Sequence, residues 1–264
     1  MDFENKTIWI TGASSGIGEA LVYAFAEKGA EIIISARREK ELERVKSNCK
    51  HSDRIIVEPI DLENYTALKE HADKLFEKVD KIDILINNGG ISQRSLVKDT
   101  GLEVDKRIMD INYFGTVALT KAVLPNMLKN KNGHIVVISS VTGKIGVPLR
   151  SAYAASKHAL HGFFDTLRFE VWKENIAVTL VCPGFIRTNV SMNALTANGT
   201  AQNTMDDATD KGMEPSELAQ KIIKAIENKK EEVYFAGSKE SLGLYLKRFA
   251  PALLSRMMRK AKVT

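Results

Sequence analysis

Two alternating hydrophobic periods narrow the folds open to this chain. Short β-branched and aliphatic runs recur at 7–10, 31–35, 55–59, 82–86, 134–139, 177–181 and 232–235. Helix-patterned stretches separate them, at 16–28, 39–48, 65–79, 102–129, 151–173 and 215–228. A run such as His134-Ile135-Val136-Val137-Ile138-Ser139 lacks the polar alternate positions of a strand with one wet face. Both faces of such a strand need cover. Doubly covered strands joined by helices of this length form right-handed βαβ units in a parallel sheet. The expected fold is therefore α/β: a Rossmann-like, doubly wound parallel sheet of about seven strands in three α/β/α layers. The 264 residues suffice for one such domain, and no repeat or Pro/Gly-rich linker divides them.

The first run leads straight into Thr11-Gly12-Ala13-Ser14-Ser15-Gly16-Ile17-Gly18, and a helix pattern follows. Gly12 suits a tight turn, Gly16 a close approach of backbone to a pyrophosphate, and Gly18 close packing of helix on strand. The helix start, with Ser14, Ser15 and Ile17, would turn free amides and the positive dipole end to the phosphates. A turn that binds nothing would usually need only one glycine. The second strand ends at Ser35-Ala36-Arg37-Arg38. Dinucleotide sites often place an acid here for the ribose 2′-hydroxyl; this chain has Ala36 followed by Arg37 and Arg38. Guanidinium groups suit a 2′-phosphate, so NADP(H) is expected over NAD(H). The other reading of the arginines is a basic helix start on a solvated face.

The TGxxxGxG turn resembles that of the short-chain dehydrogenase/reductase family, and the likeness extends over about residues 5–235. Tyr153 and Lys157 match the family's Y-x-x-x-K pair, and their separation places both on one helix face. A tyrosine of ordinary pKa, about 10, deprotonates poorly near neutrality; a nearby ammonium favours the phenolate. Ser140 precedes Tyr153 by thirteen residues, the family's spacing, at the end of a strand where its hydroxyl can polarise a substrate oxygen. Ser139 beside it would point the other way. By resemblance, Asn112 holds a water that relays protons to the lysine, and Asp61 and Leu62 contact adenine. Asn88, Gly89 and Gly90 are similar to the family's NNAG, with Gly89 in place of Ala. Pro183, Gly184, Ile186 and Thr188 resemble the PGxxxT segment that orients the nicotinamide, and Tyr153 and Lys157 also meet the cofactor.

The resemblance implies an NADP(H)-dependent oxidoreductase that interconverts a carbonyl (ketone or aldehyde) and an alcohol. A pro-S hydride would be transferred, with Tyr153 as general acid/base. Residues 1–238 would form the dinucleotide-binding and catalytic domain. The irregular stretch 189–212 reads as a mobile lid or as a disordered loop, and its place after a strand end favours the lid. A homodimer or homotetramer through 102–129 and 151–173 is implied likewise. The alternatives are a non-catalytic NADPH-binding regulator and a membrane-surface scaffold.

The scaffold reading comes from the C-terminal extension, 239–264. Seven Lys or Arg stand there against one acid, a net +6 in a chain of net +5, so the rest carries −1. That mild excess does not point to nucleic acid. Residues 242–262 mix aromatic and aliphatic side chains with these cations, as an interfacial helix on an anionic membrane does. The plainer reading, a C-terminal helix packed on the domain or completing a dimer, is the one favoured. The segment is similar to the ending of the DHRS seven-type branch, whose animal members carry an N-terminal anchor; the start MDFENKTIWI shows neither anchor nor signal peptide. Two cysteines make no disulfide framework, and a reduced, cytoplasmic setting is expected, with contact at a membrane periphery as the variant. His158 and His161 lack further ligands in the sequence; no metal is expected, and both are assigned to the helix surface or an interface. Cys182 reads as an inert buried thiol.

Overall fold

The computed structural model describes residues 2–261. Its first half builds β1 (Thr7–Thr11), α1 (Gly16–Ala26), β2 (Glu31–Ser35), α2 (Glu39–Ser47), β3 (Ile55–Val57), α3 (Leu68–Leu75) and β4 (Ile84–Asn87). Then follow α4 (Leu102–Met109), α5 (Thr116–Asn130), β5 (Gly133–Ile138), α6 (Ser151–Val171), β6 (Ile176–Pro183) and the short α7 (Asp207–Asp210). The chain continues through α8 (Pro215–Glu227), β7 (Glu232–Phe235), α9 (Ser238–Phe249) and α10 (Pro251–Met258). All seven strands are parallel, in the order β3-β2-β1-β4-β5-β6-β7. The order reverses between β1 and β4, which opens a crevice at their carboxyl ends, the place where ligands bind in such sheets.

Period-two alternation divides the apolar strand residues between two cores. Ile8, Ile10, Ile32 and Ile34 face one side with Leu21, Phe25 and Ile222 from α1 and α8. Trp9, Ile33, Leu85, Ile135 and Val137 face the other with Leu119, Val123, Leu160 and Phe164 from α5 and α6. The sheet is thus buried on both faces, as its apolar strands require.

Several boundaries differ from expectation for local reasons. β3 stops at Val57, since Pro59 has no N–H to give a ladder. The stretch expected as one helix over 65–79 is a 3₁₀ turn, Tyr65–Ala67, and then α3. The long helix expected over 102–129 does run on, but Asp110–Gly115 forms a wider π turn between α4 and α5. The C-terminal helix breaks at Ala250 before Pro251, which takes the first position of α10. Lys262 and the rest of that extension lie outside the described residues. The stretch 189–212 is folded onto the domain: Leu195 bridges Gln93 and Ala201, and the carboxylate of Asp206 meets two buried arginines, Arg94 and Arg150.

Candidate active site

The turn after β1 is held by side chains as well as by its glycines. Thr11 Oγ1 accepts hydrogen bonds from the backbone N–H groups of Asn88 and Gly89, each 3.0 Å, and Asn88 Nδ2 donates to Thr11 O at 2.9 Å. These bonds tie the β1 turn to the end of β4. Gly12 has φ +65°, and a Cβ there would lie 2.8 Å from Gly89 Cα. A Cβ on Gly18 would come within 2.2 Å of Gly12 O, so α1 can start this close to the strand only without a side chain. Ser15 caps α1 without a side-chain hydrogen bond. Arg44, which the sequence did not single out, reaches from α2 to Ser14 O (3.2 Å) and to Glu19 (2.8 Å) and steadies the turn from outside.

A cleft of about 550 Å³ opens over this turn. Gly12, Ser14, Ser15, Gly16, Ile17, Arg37, Arg38, Asp61, Leu62, Asn88, Gly89, Gly90 and Thr188 line it. Arg37 and Arg38 are exposed at its margin, joined by Arg107 from α4; Asp61 is the one acid among the lining residues. The Asp61 carboxylate accepts the Glu63 N–H at 3.0 Å. Gly18 sits beneath the turn and does not line the cleft. A Cβ on Gly89 would approach Leu62 Cδ1 to 2.5 Å, so the alanine usual at that place would require Leu62 to move.

The cleft runs into a second cavity of about 880 Å³, and Ile17, Asn88, Gly90, Ile91, Ser92, Thr188 and Val190 border both. Ser140, Tyr153 and Lys157 lie on its wall with Pro183, Gly184 and Ile186. Ser140 follows β5, and its hydroxyl accepts the Thr142 N–H at 3.2 Å. Tyr153 and Lys157 stand in the first two turns of α6. Asn112 is fully buried in the π turn. Its amide accepts from Ile91 N (2.8 Å) and donates to Ile91 O (2.9 Å) and Ser156 Oγ (3.0 Å). It thereby fixes the loop after β4 against α6 one residue before Lys157. A widened turn at such a position is a recurrent feature of functional helices.

The electrostatics differ from the sequence expectation. Lys157 Nζ donates to Ile138 O at 2.8 Å and stands 5.7 Å from the centre of the Tyr153 ring. Burial brings its pKa down to about 8. Burial raises the Tyr153 phenol above its ordinary value; Arg150, Ser140, Arg94 and Thr142 oppose that rise. In the protein alone, desolvation therefore outweighs the acidification expected from an adjacent ammonium, and the phenol holds its proton.

A model of the family described as short chain dehydrogenase matches residues 6–199. The "Dehydrogenase/reductase SDR family protein 7-like" of Drosophila melanogaster is 44% identical over 263 residues, covering 98% of this chain and 81% of the relative. The "Dehydrogenase/reductase SDR family member 7B" of Xenopus tropicalis is 42% identical, covering 97% and 85%. This chain is a short-chain dehydrogenase/reductase. The fold is shared with a short chain dehydrogenase from Burkholderia cenocepacia J2315 in complex with NADP (TM-score 0.80, 24% identity, 98% and 99% of the chains). It is shared equally with one from Burkholderia phymatum in complex with NAD (TM-score 0.83, 22% identity, 96% of each).

Behind the wall that carries Ser140, Tyr153 and Lys157 in this short-chain dehydrogenase/reductase lies a buried network that sequence reading missed. His161, expected at the surface or an interface, is buried one turn after Lys157. Its Nε2 meets Ser139 Oγ at 3.1 Å and Cys182 Sγ at 3.7 Å, and its Nδ1 is 3.6 Å from Glu232. Glu232 also accepts from Lys144 at 3.1 Å and from the Tyr234 hydroxyl. Contact with His161, against the opposing effect of burial, holds the Glu232 pKa at about 2. Burial lifts the Cys182 thiol to about 12, in keeping with an inert sulfur. His161, Cys182 and Glu232 each offer one ligand atom within 4.8 Å of the other two, a three-donor grouping of the kind that can hold a metal ion, where the sequence led to no expectation of one. Each member adjoins an element of the site: Ser139 precedes Ser140, Cys182 precedes Pro183, and Lys144 closes the loop after Ser140. The network ties β5, α6, β6 and β7 together at that wall. No local spacing signals it.

Proposed function

We propose that this protein is an NADP(H)-dependent oxidoreductase that interconverts a ketone or aldehyde with an alcohol. The observation that carries the reading is the junction of the two cavities. The glycine-turn cleft runs directly into the pocket where Ser140 and Tyr153 present hydroxyls and Lys157 presents its ammonium. The cleft fits a dinucleotide, because side chains at Gly12 or Gly18 would fill the space the turn needs. When bound, the nicotinamide supplies or accepts the hydride.

In reduction, Tyr153 gives its proton to the carbonyl oxygen as negative charge develops there. The raised phenol pKa keeps that proton available. Ser140 holds the same oxygen by a hydrogen bond that strengthens as the charge grows. Lys157, held in line by Ile138 O, orients the nicotinamide ribose, and Asn112 supports the proton relay to it. Alcohol oxidation runs through the same groups in reverse. Preference for NADP(H) is supported by Arg37 and Arg38 at the cleft margin, neither of them in an ion pair among the described residues. A homo-oligomer is supported by the exposed Phe114, Phe169 and Trp172 on the helices expected to meet. No helix among the described residues is long and apolar enough to cross a membrane; a cytoplasmic site remains our proposal.

The test is oxidation of NADPH and of NADH, side by side, across a carbonyl panel. Turnover with NADPH should exceed that with NADH. Tyr153→Phe should reduce kcat by a factor of at least about 100 while NADPH affinity stays within a few-fold. Retention of full activity would remove Tyr153 from the reaction. Tight NADPH binding without turnover of any carbonyl would favour a regulatory protein.

A further inference from the structure

The two C-terminal helices carry a surface that the chemistry above does not use. Leu246 and Leu254 turn inward onto Ile145, and Gly243 lets α9 come close to that side chain. Leu242, Tyr245 and Phe249 on α9, with Leu253 and Met257 on α10, face outward instead, from 46% exposed at Met257 to 68% at Phe249. Residues 242, 245 and 249 share one stripe of α9, and 253 and 257 share one of α10. The Tyr245 and Phe249 rings lie against each other, their centroids 4.6 Å apart and their planes tilted by 40°. Two exposed apolar stripes on successive helices point to an interaction site rather than scattered exposure.

Charge identifies what the stripe fits. Lys239, Lys247, Arg248, Arg256, Arg259 and Lys260 are all exposed, and none is in an ion pair among the described residues. Some surface lysines on other helices are paired, as Lys69–Asp73, Lys74–Glu70 and Lys221–Glu217 show. The one acid of this extension, Glu240, turns to the inner wall beside Gly184 and Gly237. Lys239 lines the cavity side with Glu240; two copies joined through these helices would bring the remaining cations of this segment together with no acid of its own between them, which association does not favour. Apolar side chains with long cationic neighbours match the boundary of an acidic bilayer, where alkyl stems lie along the apolar layer and charged heads reach the phosphates.

We propose that the outer face of α9 and α10 docks on an anionic lipid surface. Tyr245, Phe249, Leu253 and Met257 enter the headgroup boundary, and the flanking Lys and Arg rest on acidic headgroups. Gly243, Leu254 and Met258 wall the 880 Å³ cavity from the inner side of the same helices. Docking therefore sets that cavity against the lipid surface, where apolar compounds concentrate.

Vesicle flotation of the full chain tests this without any substrate, so its outcome is independent of the carbonyl panel. The protein should float with vesicles of phosphatidylcholine mixed with phosphatidylserine and stay behind with phosphatidylcholine alone. High salt should release it. Arg248→Gln with Arg256→Gln should weaken partitioning about 25-fold, at about fivefold per charge. Tyr245→Glu with Phe249→Glu should abolish flotation while leaving the melting temperature unchanged and the turnover of a water-soluble carbonyl within a few-fold. Failure to float with the mixed vesicles, or unchanged flotation of either variant, overturns the proposal. A change of oligomeric state by light scattering in the Tyr245→Glu, Phe249→Glu protein also overturns it, because the face would then belong to a subunit contact.

Discussion

Methionine in place of Lys157 should stabilise the cofactor-free protein near neutral pH, and the advantage should vanish in alkali. The lysine is 4% exposed, and burial takes its pKa from 10.5 to about 8. That displacement corresponds to about 3 kcal/mol of preference for the neutral amine in the folded state. Below the folded value, both folded and unfolded chains carry the proton, and the whole penalty weighs on folding. Between the two values, the folded protein has released its proton while the unfolded chain keeps it, so wild-type stability climbs with pH. Above 10.5 neither form is charged, and the penalty is gone. Methionine is close in length and removes the charge at every pH, though it gives up the hydrogen bond to Ile138 O, worth about 1 kcal/mol. Lys157→Met should therefore exceed wild type by about 2 kcal/mol near neutrality and fall slightly below it in strong alkali. Urea midpoints of both proteins, taken at intervals from about pH 6 to about pH 10, give the difference directly. A difference that stays flat over that range would show that Lys157 titrates as an exposed lysine does, and the burial argument would fail. Turnover should be lost in the same variant, so the position would trade stability for function.

Two further substitutions probe the site's edges. Arg37→Ala with Arg38→Ala should raise KM for NADPH about 10- to 100-fold, as loss of one or two charge-assisted hydrogen bonds would, and leave KM for NADH within a few-fold; an equal effect on both cofactors would refute a 2′-phosphate contact. Asp206→Asn leaves the buried Arg94 and Arg150 without the carboxylate they share, so stability should fall by about 3–5 kcal/mol, and limited proteolysis should begin within 189–212; a protease-resistant variant of unchanged denaturation midpoint would show that the carboxylate does not hold that segment.

What the sequence disclosed was what short range determines. The Gly12–Gly18 turn, the Tyr153–Lys157 spacing and the apolar strands each lie within one or two elements, where geometry follows from neighbours. The strand order follows from connection rules that act on those elements. The residues that escaped notice depend on distant partners. His161 finds Ser139 across 22 residues and Cys182 across 21, and Arg94 finds Asp206 across 112. A histidine on a helix gives no local sign of which side will be covered. The π turn at Asn112 escaped for the same reason: it accompanies hydrogen bonds to Ile91 and Ser156 that exist only after the sheet and α6 have assembled.

The acid–base reading of Tyr153 was limited in a different way. Spacing placed an ammonium on the same helix face as the phenol, but spacing carries no information about desolvation. Here burial acts on both groups, against the charge on Lys157 and against ionisation of Tyr153. Both effects favour a protonated phenol in the protein alone, the form suited to donating a proton to a nascent alkoxide. A cationic nicotinamide in the adjoining cleft would act oppositely and favour the phenolate, the form suited to oxidation. On this argument the oxidation state of the bound dinucleotide biases Tyr153 toward acid or base, and the neighbouring lysine contributes chiefly by position.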